Sequence, residues 1–574
     1  MSRSGSLVYD PADLAGSLRL RVARVLNGNW TGTSTVPSRG LYPHQWSWDS
    51  AFIAIGLRHL SPLRAQTELE TLLGAQWADG RIPHIVFNPS VPLDAYFPSP
   101  DFWRSSTAGR AAGAPRTVQT SGIVQPPVHA LAVWLVHRAD PGLSRARNFL
   151  PRMYPRLAAW HRYLLHRRDL GGGGLASVVH PWEQGMDNSP CWDAPLSRIT
   201  PAPARSFRRA DLDHGTPEDR PTDLDYGRYV RLATDYRDRG YADGGGEFAV
   251  EDPAFNALLI ASEHALARIA QELGAAGTAR HARAERLTAV LVERLWDPAA
   301  GMFFCRDVYG GDEGESSALG VERGSRSGAL DSGQGSRGST TGPENSALGS
   351  EKRSRSGAHV PERRSRSGAL DSERRSQSTA HASQQRFQSS GHASERRSPS
   401  GVLIPERSVA GLLPLILPAL PRDIAATLVR TTSGPHFGLG GATRLVPSYD
   451  LTGHAFDPHR YWRGPAWFNT NWLLERGLRL HGEHARADGL RAALLDTAGE
   501  SGFAEYVDPY TGEACGALGF SWTAALTLDL LHEPSGADQV VSHPGHDAFD
   551  KAHSEHSTTR HSAFETGAKG GDRG

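Results

Sequence analysis

The chain has 574 residues, which is enough for one very large domain or several ordinary ones. Its 62 basic and 62 acidic residues balance, so the composition indicates neither nucleic acid nor an anionic membrane surface as a partner. Cys191, Cys305 and Cys515 share no metal-binding or redox spacing, and their odd number argues against a disulfide framework. The N-terminus lacks the apolar core of a signal peptide, and no apolar run reaches the roughly 18 residues of a membrane helix. We therefore expect a soluble, cytoplasmic protein.

Helical periodicity recurs along the chain in pairs of segments. Between Pro11 and Leu26, for example, Leu14, Leu18 and Val22 fall on one face of a helix. Further helices are predicted near residues 49–60, 62–77, 124–137, 143–168, 252–273, 276–296, 405–417, 421–431, 464–480, 483–498 and 521–532. Irregular connections are expected at 78–123 and 169–251. About twelve helices, paired by tight turns and separated by long loops, predict an all-α (α/α)6 barrel whose loops form the active-site cleft.

Two segments have a composition that does not fit a packed domain. From 311 to 401 the only aromatic residue is Phe387, and the string Ser-Arg-Ser-Gly-Ala recurs from residues 325, 354 and 365. Such a segment cannot bury enough apolar surface to offset its chain entropy, so we predict a disordered insertion. The polar stretch 533–574 is predicted to be a disordered tail. Residues 1–310 and 402–532 are then expected to form a single catalytic domain.

The stretch from Leu41 to Gly56 places one carboxylate among aromatic residues, in the string Leu-Tyr-Pro-His-Gln-Trp-Ser-Trp-Asp-Ser-Ala-Phe-Ile-Ala-Ile-Gly. Asp49 precedes an apolar helical run, in the position of an N-cap or first-turn residue. Aromatic rings stack on a sugar ring while a carboxylate accepts hydrogen bonds from its hydroxyls, so a saccharide site is one interpretation. A capping aspartate beside buried aromatic side chains is the other, and this stretch alone does not decide between them.

Further acidic residues with aromatic neighbours lie outside the predicted helices, where catalytic groups concentrate. In the string His-Pro-Trp-Glu-Gln-Gly-Met-Asp-Asn-Ser-Pro, residues 180–190, both Glu183 and Asp187 are candidates for a general acid. That role needs burial beside tryptophan to raise the pKa of the carboxyl group. Glu505 lies between Phe503 and Tyr506 on a strand-like segment, from which it can point into a cavity.

Two motifs without an acidic residue extend the same pattern. Gln125 stands before two prolines at a predicted helix start, where its amide can donate and accept hydrogen bonds toward a substrate hydroxyl. It can equally be an ordinary residue at a helix start. The string that begins at Tyr461 and Trp462 combines aromatic and amide side chains around a Gly464-Pro465 helix start, a composition that suits a saccharide.

Four of these strings resemble glycoside hydrolase family 63, and they occur in the family's order. They are His-Gln-Trp-Ser-Trp-Asp-Ser-Ala-Phe, Trp-Glu-Gln-Gly-Met-Asp-Asn-Ser-Pro, Tyr-Trp-Arg-Gly-Pro-Ala-Trp and Gly-Phe-Ala-Glu-Tyr-Val-Asp-Pro. The chain resembles in particular the bacterial branch that contains mannosylglycerate and glucosylglycerate hydrolases, over roughly residues 10–310 and 400–532. The resemblance implies an inverting (α/α)6 enzyme that acts on α-glucosides and α-mannosides without a metal or cofactor.

The resemblance also implies a role for each residue that matches a family motif. Asp187 would be the general acid and Glu505 the general base. The residues expected to hold the sugar are Tyr42, Trp46, Asp49, Gln125, Tyr461 and Trp462. Arg220 and Tyr226 match, in kind and spacing, a loop that grips the glycerate carboxylate in the family's glycerate-specific members, and Tyr96 is expected to join them. The alternative for Arg220 is an ordinary ion pair with nearby Asp219, Asp223 or Asp225 on a solvated loop.

A small saccharide is thus the expected partner, and the sequence permits a homo-oligomer. The alternatives are other (α/α)6 enzymes, such as an α-glucosidase, a trehalase-like or glucoamylase-like hydrolase or a sugar epimerase, because a scaffold does not decide function. An inactive sugar-binding protein that keeps the aromatic cleft is a further alternative. The presence of both Asp187 and Glu505 disfavours it.

Overall fold

The computed structural model of the protein describes residues 11–213, 217–311 and 401–532. Helices dominate these ranges. The longer ones are Pro11–Gly28, Ser47–Leu57, Pro62–Gly74, His129–Ala139, Phe149–Arg167, Asp223–Asp238, Pro253–Glu272, Thr278–Leu295, Arg422–Thr432, Phe468–Leu480, His484–Glu500 and Ser521–Leu530. Short helical segments are Pro100–Trp103, Ser105–Ala108, Pro141–Ala146, Pro181–Gln184 and Asp193–Ser197.

Six segments form a closed inner ring. In chain order they are Ser47–Leu57, His129–Ala139, Pro253–Glu272, the pair of 3-10 turns Val409–Gly411 and Leu413–Ile416, Phe468–Leu480 and Ser521–Leu530. Each packs against the next, and the last packs against the first. All eleven residues of Ser47–Leu57 are buried, as expected for a helix that is apolar on every side. A Cβ atom on Gly56 would lie 2.0 Å from the backbone oxygen of Ala525, so only glycine permits this closing contact.

An outer helix covers each inner segment and buries only one face. Phe149–Arg167 shows this pattern: Leu157, Trp160 and Leu164 are buried at helical spacing, while Arg156 and Arg162 are exposed. The outer helices are Pro11–Gly28, Pro62–Gly74, Phe149–Arg167, Thr278–Leu295, Arg422–Thr432 and His484–Glu500. Six inner segments paired with six outer helices make an (α/α)6 barrel, so the predicted fold class is confirmed.

Three predicted elements differ from the structure. The single helix predicted at 143–168 is divided into Pro141–Ala146 and Phe149–Arg167. The segment 405–417 is not an α-helix but contains the two 3-10 turns of the inner ring, because Pro405 and Pro414 remove backbone donors from it. Conversely, the helix Asp223–Asp238 lies inside the predicted irregular connection 169–251. Its charged residues obscured a buried face formed by Tyr226, Tyr229 and Val230.

Short antiparallel strands join the loops at the rim of the barrel. The pairs are Gln45–Trp46 with Ile85–Val86, and Trp296–Asp297 with Met302–Phe303. A second group places Tyr506–Val507 between Ala466–Trp467 and Ala514–Cys515. A four-stranded sheet has the order Ser177–Val178, Val250–Glu251, Arg306–Asp307, Val402–Leu403.

The four-stranded sheet brings together the two ends of the predicted insertion. Asp307 pairs with Val402 and Arg306 with Leu403 in antiparallel register. The chain therefore leaves and re-enters the barrel at neighbouring points on one sheet. The predictions for 311–401 and 533–574 fall, except at residues 311 and 401, outside the described residues. Within the described ranges, none of the helices has the length and apolar character needed to cross a membrane.

Candidate active site

A cavity open to solvent, with about 800 Å³ of empty space, lies at the N-terminal ends of the inner helices. Its lining includes ten of the eleven site residues predicted from the sequence. They are Tyr42, Trp46, Asp49, Tyr96, Gln125, Asp187, Arg220, Tyr226, Tyr461 and Glu505. These residues come from loops and helix starts spread over more than 460 positions, and the barrel closure brings them together.

Asp49 reaches the cavity because a short strand turns directly into the helix that carries it. Trp46 ends the strand paired with Ile85–Val86 and occupies the N-cap position of Ser47–Leu57, where its side chain makes no capping hydrogen bond. Asp49 lies in the first turn, 4% exposed, and lines the cavity. Burial raises the pKa of Asp49 well above its ordinary value, and the charges of Glu505 and Glu68 add to the rise. Asp49 is therefore a first-turn residue that faces the cavity.

Gln125 and Glu68 fix the segment around Asp49 from opposite sides. The Gln125 Oε1 atom accepts a hydrogen bond from the backbone N–H of Trp48 at 3.1 Å, which satisfies one donor at the helix start. Glu68 is fully buried and accepts hydrogen bonds from the Ser50 hydroxyl at 2.6 Å and the Gln45 amide at 3.1 Å. The Gln125 side chain thus has its amide N–H groups left to donate toward the cavity.

Glu505 is the most extensively hydrogen-bonded carboxylate in the cavity lining. Its Oε1 atom accepts a hydrogen bond from the Tyr42 hydroxyl at 2.9 Å and from the Tyr461 hydroxyl at 3.4 Å. Its Oε2 atom accepts from the backbone N–H of Ala517 at 3.1 Å and lies 4.0 Å from the Arg220 guanidinium. Burial raises the pKa of Glu505, while Arg220 and these donors oppose the rise because they stabilise the ionised form.

Asp187 lies in a different electrostatic environment. It follows Gly185, which has a φ of +82° and passes so close to Trp48 that a Cβ atom would lie 2.5 Å from the indole ring. The Tyr229 hydroxyl holds this loop by donating to the backbone oxygen of Asp187 at 2.5 Å. Burial raises the pKa of Asp187 to about 7, with Arg220 opposing and the charges of Glu505 and Asp211 supporting the rise. A large fraction of Asp187 is therefore protonated at neutral pH.

The structure separates Asp187 from Glu183, the other candidate in the same motif. Glu183 is fully buried and forms two hydrogen bonds with Arg168, at 2.6 and 2.7 Å. It also accepts hydrogen bonds from the backbone N–H groups of Val124 and Val179. Because its oxygens are committed to these partners and it does not line the cavity, Glu183 stabilises the loop that carries Asp187.

Arg220 is buried over the tyrosines of the cavity. Its guanidinium lies 4.8 Å from the centroid of the Tyr461 ring and donates to the Tyr42 hydroxyl at 3.3 Å. The acidic residues that follow it in sequence are engaged elsewhere: Asp223 with Arg209 and Asp225 with Arg228. An assignment of Arg220 to a solvated loop of charges therefore does not fit the structure.

Tyr226 and Tyr96 form one wall of the cavity near Arg220. The Tyr226 hydroxyl donates to the backbone oxygen of Phe97 at 3.2 Å. Tyr96 packs edge-on against Trp46, with ring centroids 5.1 Å apart. Aromatic side chains thus surround the polar groups of the cavity, as is typical of saccharide sites.

Trp462 is the predicted site residue that is absent from the cavity lining among the described residues. Its ring stacks on Trp467, with centroids 3.8 Å apart and planes 3° from parallel. Trp467 in turn packs against Tyr461 at 5.0 Å, so Trp462 lies behind the tyrosine that contacts Glu505. A direct contact between Trp462 and a sugar remains a prediction.

Several lining residues were not predicted from the sequence as substrate contacts. They are Trp48, His84, Trp182, Asp211, Phe520 and Trp522. Trp48 and Trp182 carried a signal, since each lies within a predicted motif, whereas Trp522 lies at the start of a predicted helix. Asp211 carried none, because it stands among many charged residues in a long loop. Within the described ranges, no group of three or more His, Cys, Asp or Glu side chains is arranged to hold a metal ion.

A family profile described as the mannosylglycerate hydrolase MGH1-like glycoside hydrolase domain matches residues 42–322 and 363–523. The chain belongs to this glycoside hydrolase family. It is 36% identical to a mannosylglycerate hydrolase of Rubrobacter radiotolerans, over 89% of this chain and 95% of that protein. It is 34% identical to a glucosylglycerate hydrolase of Mycolicibacterium hassiacum, over 91% of this chain and 99% of that protein.

Comparison of the fold with solved structures leads to the same family. A crystal structure of a family 63 mannosylglycerate hydrolase from Thermus thermophilus, in complex with Tris and D-glycerate, superimposes with a TM-score of 0.67. The two chains are 33% identical, and the match covers 89% of this chain and 99% of that one. The resemblance to glycoside hydrolase family 63 is thus confirmed, and this protein is a glycoside hydrolase.

Proposed function

We propose that this glycoside hydrolase cleaves the α-glycosidic bond between glucose or mannose and glycerate. Relatives of both specificities share about a third of their residues with it over nearly their whole length. The observation that carries the proposal is the cavity, where two carboxyl groups in different environments lie with a buried arginine among tyrosines. The sequence-based predictions of a cytoplasmic location and of a homo-oligomer remain predictions.

Asp187 is proposed as the general acid. A general acid must carry a proton at the working pH, and burial supplies this condition by raising the pKa of Asp187 to about 7. Protonation of the glycosidic oxygen lets glycerate leave as a neutral alcohol instead of an alkoxide, through an oxocarbenium-like transition state. Activity should therefore fall as the pH rises through this pKa, because the proton is then lost.

Glu505 is proposed as the general base. Two tyrosine hydroxyls, one backbone N–H and the nearby Arg220 favour its ionised form. An ionised carboxylate can accept a proton from a water molecule held on the face of the sugar opposite the leaving group. Attack by that water inverts the anomeric configuration, and neither step requires a metal.

Arg220 is proposed to bind the glycerate carboxylate, with Tyr226 and Tyr96 beside it. A guanidinium binds a carboxylate through two parallel hydrogen bonds, which a neutral aglycone cannot offer. Arg220 already approaches one carboxylate, that of Glu505, at 4.0 Å. A substrate carboxylate would give this buried cation a second anionic partner. The sugar itself is proposed to contact Tyr42, Trp46, Asp49, Gln125 and Tyr461, with Trp462 supporting from behind.

A panel of α-glycosides tests the proposal. Purified protein is assayed with glucosyl- and mannosylglycerate, and with trehalose, maltose and the two methyl α-glycosides as neutral controls. We expect hydrolysis of at least one glycerate glycoside, with the β-anomer of the sugar appearing first in proton NMR spectra. Comparable or faster cleavage of a neutral glycoside would favour the α-glucosidase or trehalase alternative. Saturable binding without hydrolysis would favour an inactive sugar-binding protein.

A further inference from the structure

We infer that Asp211 accepts a hydrogen bond from the free hydroxyl of the aglycone. This contact would make the enzyme selective for glycerate over acids that lack the hydroxyl. The inference rests on the proposed function, which it extends from the aglycone carboxylate to a second group of the same molecule. Neither the family resemblance nor the sequence motifs assign a role to Asp211.

Asp211 lies on the wall of the cavity where the proposed aglycone contacts meet. Its side chain is 18% exposed and lines the same cavity as Arg220 and Tyr226. Burial raises the pKa of Tyr96 and of Asp187, and the charge of Asp211 adds to both shifts. The carboxylate of Asp211 is thus within electrostatic reach of the proposed acid and of the tyrosine wall.

Arg209 holds this carboxylate in place. Its Nε atom donates to Oδ1 of Asp211 at 2.9 Å and its Nη2 atom to Oδ2 at 2.8 Å. The same guanidinium lies 4.4 Å from the centroid of the Tyr226 ring and donates to the backbone oxygen of Pro221 at 2.8 Å. The arginine therefore connects Asp211 to the segment that carries Arg220 and Tyr226.

The chemistry of glycerate explains a carboxylate in a site for an anion. When one of its two hydroxyls forms the glycosidic bond, glycerate keeps a carboxylate and one free hydroxyl. An ionised carboxylate only accepts hydrogen bonds, so Asp211 cannot bind the substrate carboxylate but can accept a hydrogen bond from the hydroxyl. Arg209 uses one acceptor position on each oxygen of Asp211 and leaves others available. It also offsets the negative charge that would otherwise repel the substrate.

Arg220 and Asp211 would then divide the recognition of glycerate. Arg220 would select the carboxylate of glycerate, and Asp211 would select its free hydroxyl. A site that contains a buried hydrogen-bonding group rejects an analogue that lacks the partner, because the group is left unpaired. An aglycone such as lactate, which has the carboxylate without the second hydroxyl, should accordingly be a poor substrate.

The chain offers a matched control for this assignment. Arg209 also donates to Asp223 at 2.8 Å, and the Asp223 side chain is 71% exposed and does not line the cavity. Asp223→Ala therefore removes one carboxylate partner of Arg209, as Asp211→Ala does, but leaves the cavity wall unchanged. A merely structural role of the Arg209 ion pairs would make the two variants alike.

The experiment compares kcat/KM for a 2-O-linked glycerate glycoside and for the same glycoside of lactate. The wild-type protein should prefer glycerate by about 10- to 100-fold, the value of a hydrogen bond to a charged group. Asp211→Ala should bring this preference close to one, while Asp223→Ala retains it. Asp211→Asn keeps the size and one acceptor oxygen, so it should fold and show a reduced preference; it decides the question if the alanine variant does not fold.

The outcomes separate this inference from the proposed function. If the wild-type protein cleaves neither glycoside, the proposed function fails and this inference with it. If it cleaves both equally well, the proposed function stands and the role of Asp211 is refuted. Equal losses on both substrates in Asp211→Ala and Asp211→Asn, or the same change of preference in Asp223→Ala, would also overturn it.

Discussion

Two carboxylates at opposite ends of the inner ring show how position and partners set the chemistry of a buried acid. Asp49 stands in the first turn of Ser47–Leu57, and Asp529 in the last turn of the adjacent helix Ser521–Leu530. Each is 4% exposed. The pKa of Asp49 is raised well above its ordinary value, whereas that of Asp529 is held well below it.

Helix dipoles predict the opposite order, since a helix N-terminus stabilises an anion and a C-terminus destabilises it. Side-chain partners therefore decide the difference. Burial alone would raise the pKa of Asp529, but Arg58, Arg476 and His59 more than offset it. Asp529 accepts hydrogen bonds from the Trp472 indole at 2.9 Å and from Arg476 at 2.6 Å, and lies 3.0 Å from Arg58. Asp49 lies instead near the further carboxylates Glu505 and Glu68.

The cavities at the two ends of the inner ring differ in how their charged groups are paired. The cavity at the C-terminal ends of the inner helices has about 960 Å³ of empty space, and Asp529 is part of its lining. Each carboxylate of its lining contacts arginine: Asp529 contacts Arg58 and Arg476, and Glu475 contacts Arg479. At the N-terminal ends, carboxyl groups are buried with fewer cations, which leaves them able to change protonation state. The carboxylates at the C-terminal ends therefore stay ionised, whereas those of the active-site cavity can take up and release protons.

The largest expected effect concerns the two proposed catalytic groups. Asp187→Asn removes the proton donor and Glu505→Gln removes the proton acceptor, while both nearly preserve shape. Each should lower kcat by about 100- to 10,000-fold on a substrate with a poor leaving group. Stability in urea should change little for Asp187→Asn. Glu505→Gln should cost more, because it leaves the buried Arg220 guanidinium, 4.0 Å from Glu505, without that carboxylate.

A leaving-group comparison sharpens this assignment. An aryl glycoside with an acidic phenol needs little protonation, so Asp187→Asn should recover much of its rate on it, whereas Glu505→Gln should not. A variant that keeps most of its kcat on the poor leaving group would show that the role assigned to that residue is wrong.

The second prediction concerns Asp529, at the C-terminal ends of the inner helices. Asp529→Asn leaves Arg58 and Arg476 buried without their carboxylate, which should cost about 3–5 kcal/mol of unfolding free energy. Residual folded protein should keep a normal kcat, because the change lies at the helix ends far from the active-site cavity. Chemical denaturation and activity assays on the same samples measure both quantities.

The pH dependence of stability provides a second readout for Asp529. Its pKa in the folded protein is lowered, so its contribution is present above the unfolded pKa, about 3.9, and is lost as the pH falls toward the folded value. The stability difference between wild type and Asp529→Asn should therefore shrink in acid. A difference that stays constant down to pH 3 would contradict the assignment.

How much of this could be predicted from the sequence differs between the two ends. Asp49, Asp187 and Glu505 stand in compact motifs with aromatic neighbours, so local sequence predicted them as site candidates. The partners of Asp529 are spread from Arg58 to Arg476, and no local pattern links them. Such a cluster exists only because the ring closes.

Within the site, local sequence was insufficient where neighbours in the chain point to different sides. Tyr461 contacts Glu505, whereas Trp462 has a φ of +57° and stacks behind it on Trp467. Asp211 could not be recognised either, because its role depends on which of several nearby acids faces the cavity. That choice is made by the position of Arg209 over Tyr226, a tertiary contact.

The third prediction concerns Arg220. Arg220→Ala should lower kcat/KM for a glycerate glycoside by about tenfold to a hundredfold or more, since a charged hydrogen bond contributes roughly 1.5–3 kcal/mol. At a pH above the acid limb of the profile, cleavage of any neutral α-glycoside should change little. Because Arg220 also approaches Glu505, its removal raises the pKa of that base, which a pH profile detects as a shift of the acid limb to higher pH. Equal losses on charged and neutral substrates would assign Arg220 to the base instead of to the aglycone.

The smallest expected effect concerns the predicted insertion. Deleting 312–400 and joining 311 to 401 by a short Gly-Ser linker should leave kcat unchanged and should not lower the melting temperature. The physical reason is the sheet at the junction: Asp307 and Val402 are already paired, so a short connection spans the gap. Loop-closure entropy grows slowly with length, and shortening the loop therefore favours folding slightly.

A second deletion makes this test specific. The family profile matches residues up to 322 and again from 363, so 323–362 is the part outside the match. Removing only 323–362 should leave kcat and the melting temperature unchanged, whether or not 363–400 contributes to the folded domain. If the longer deletion lowers stability or activity while the shorter one does not, then 363–400 contributes to the folded domain, and its low aromatic content misled the prediction. If both are silent, composition alone was a sufficient guide, and the barrel with its two unlike ends is complete without the insertion.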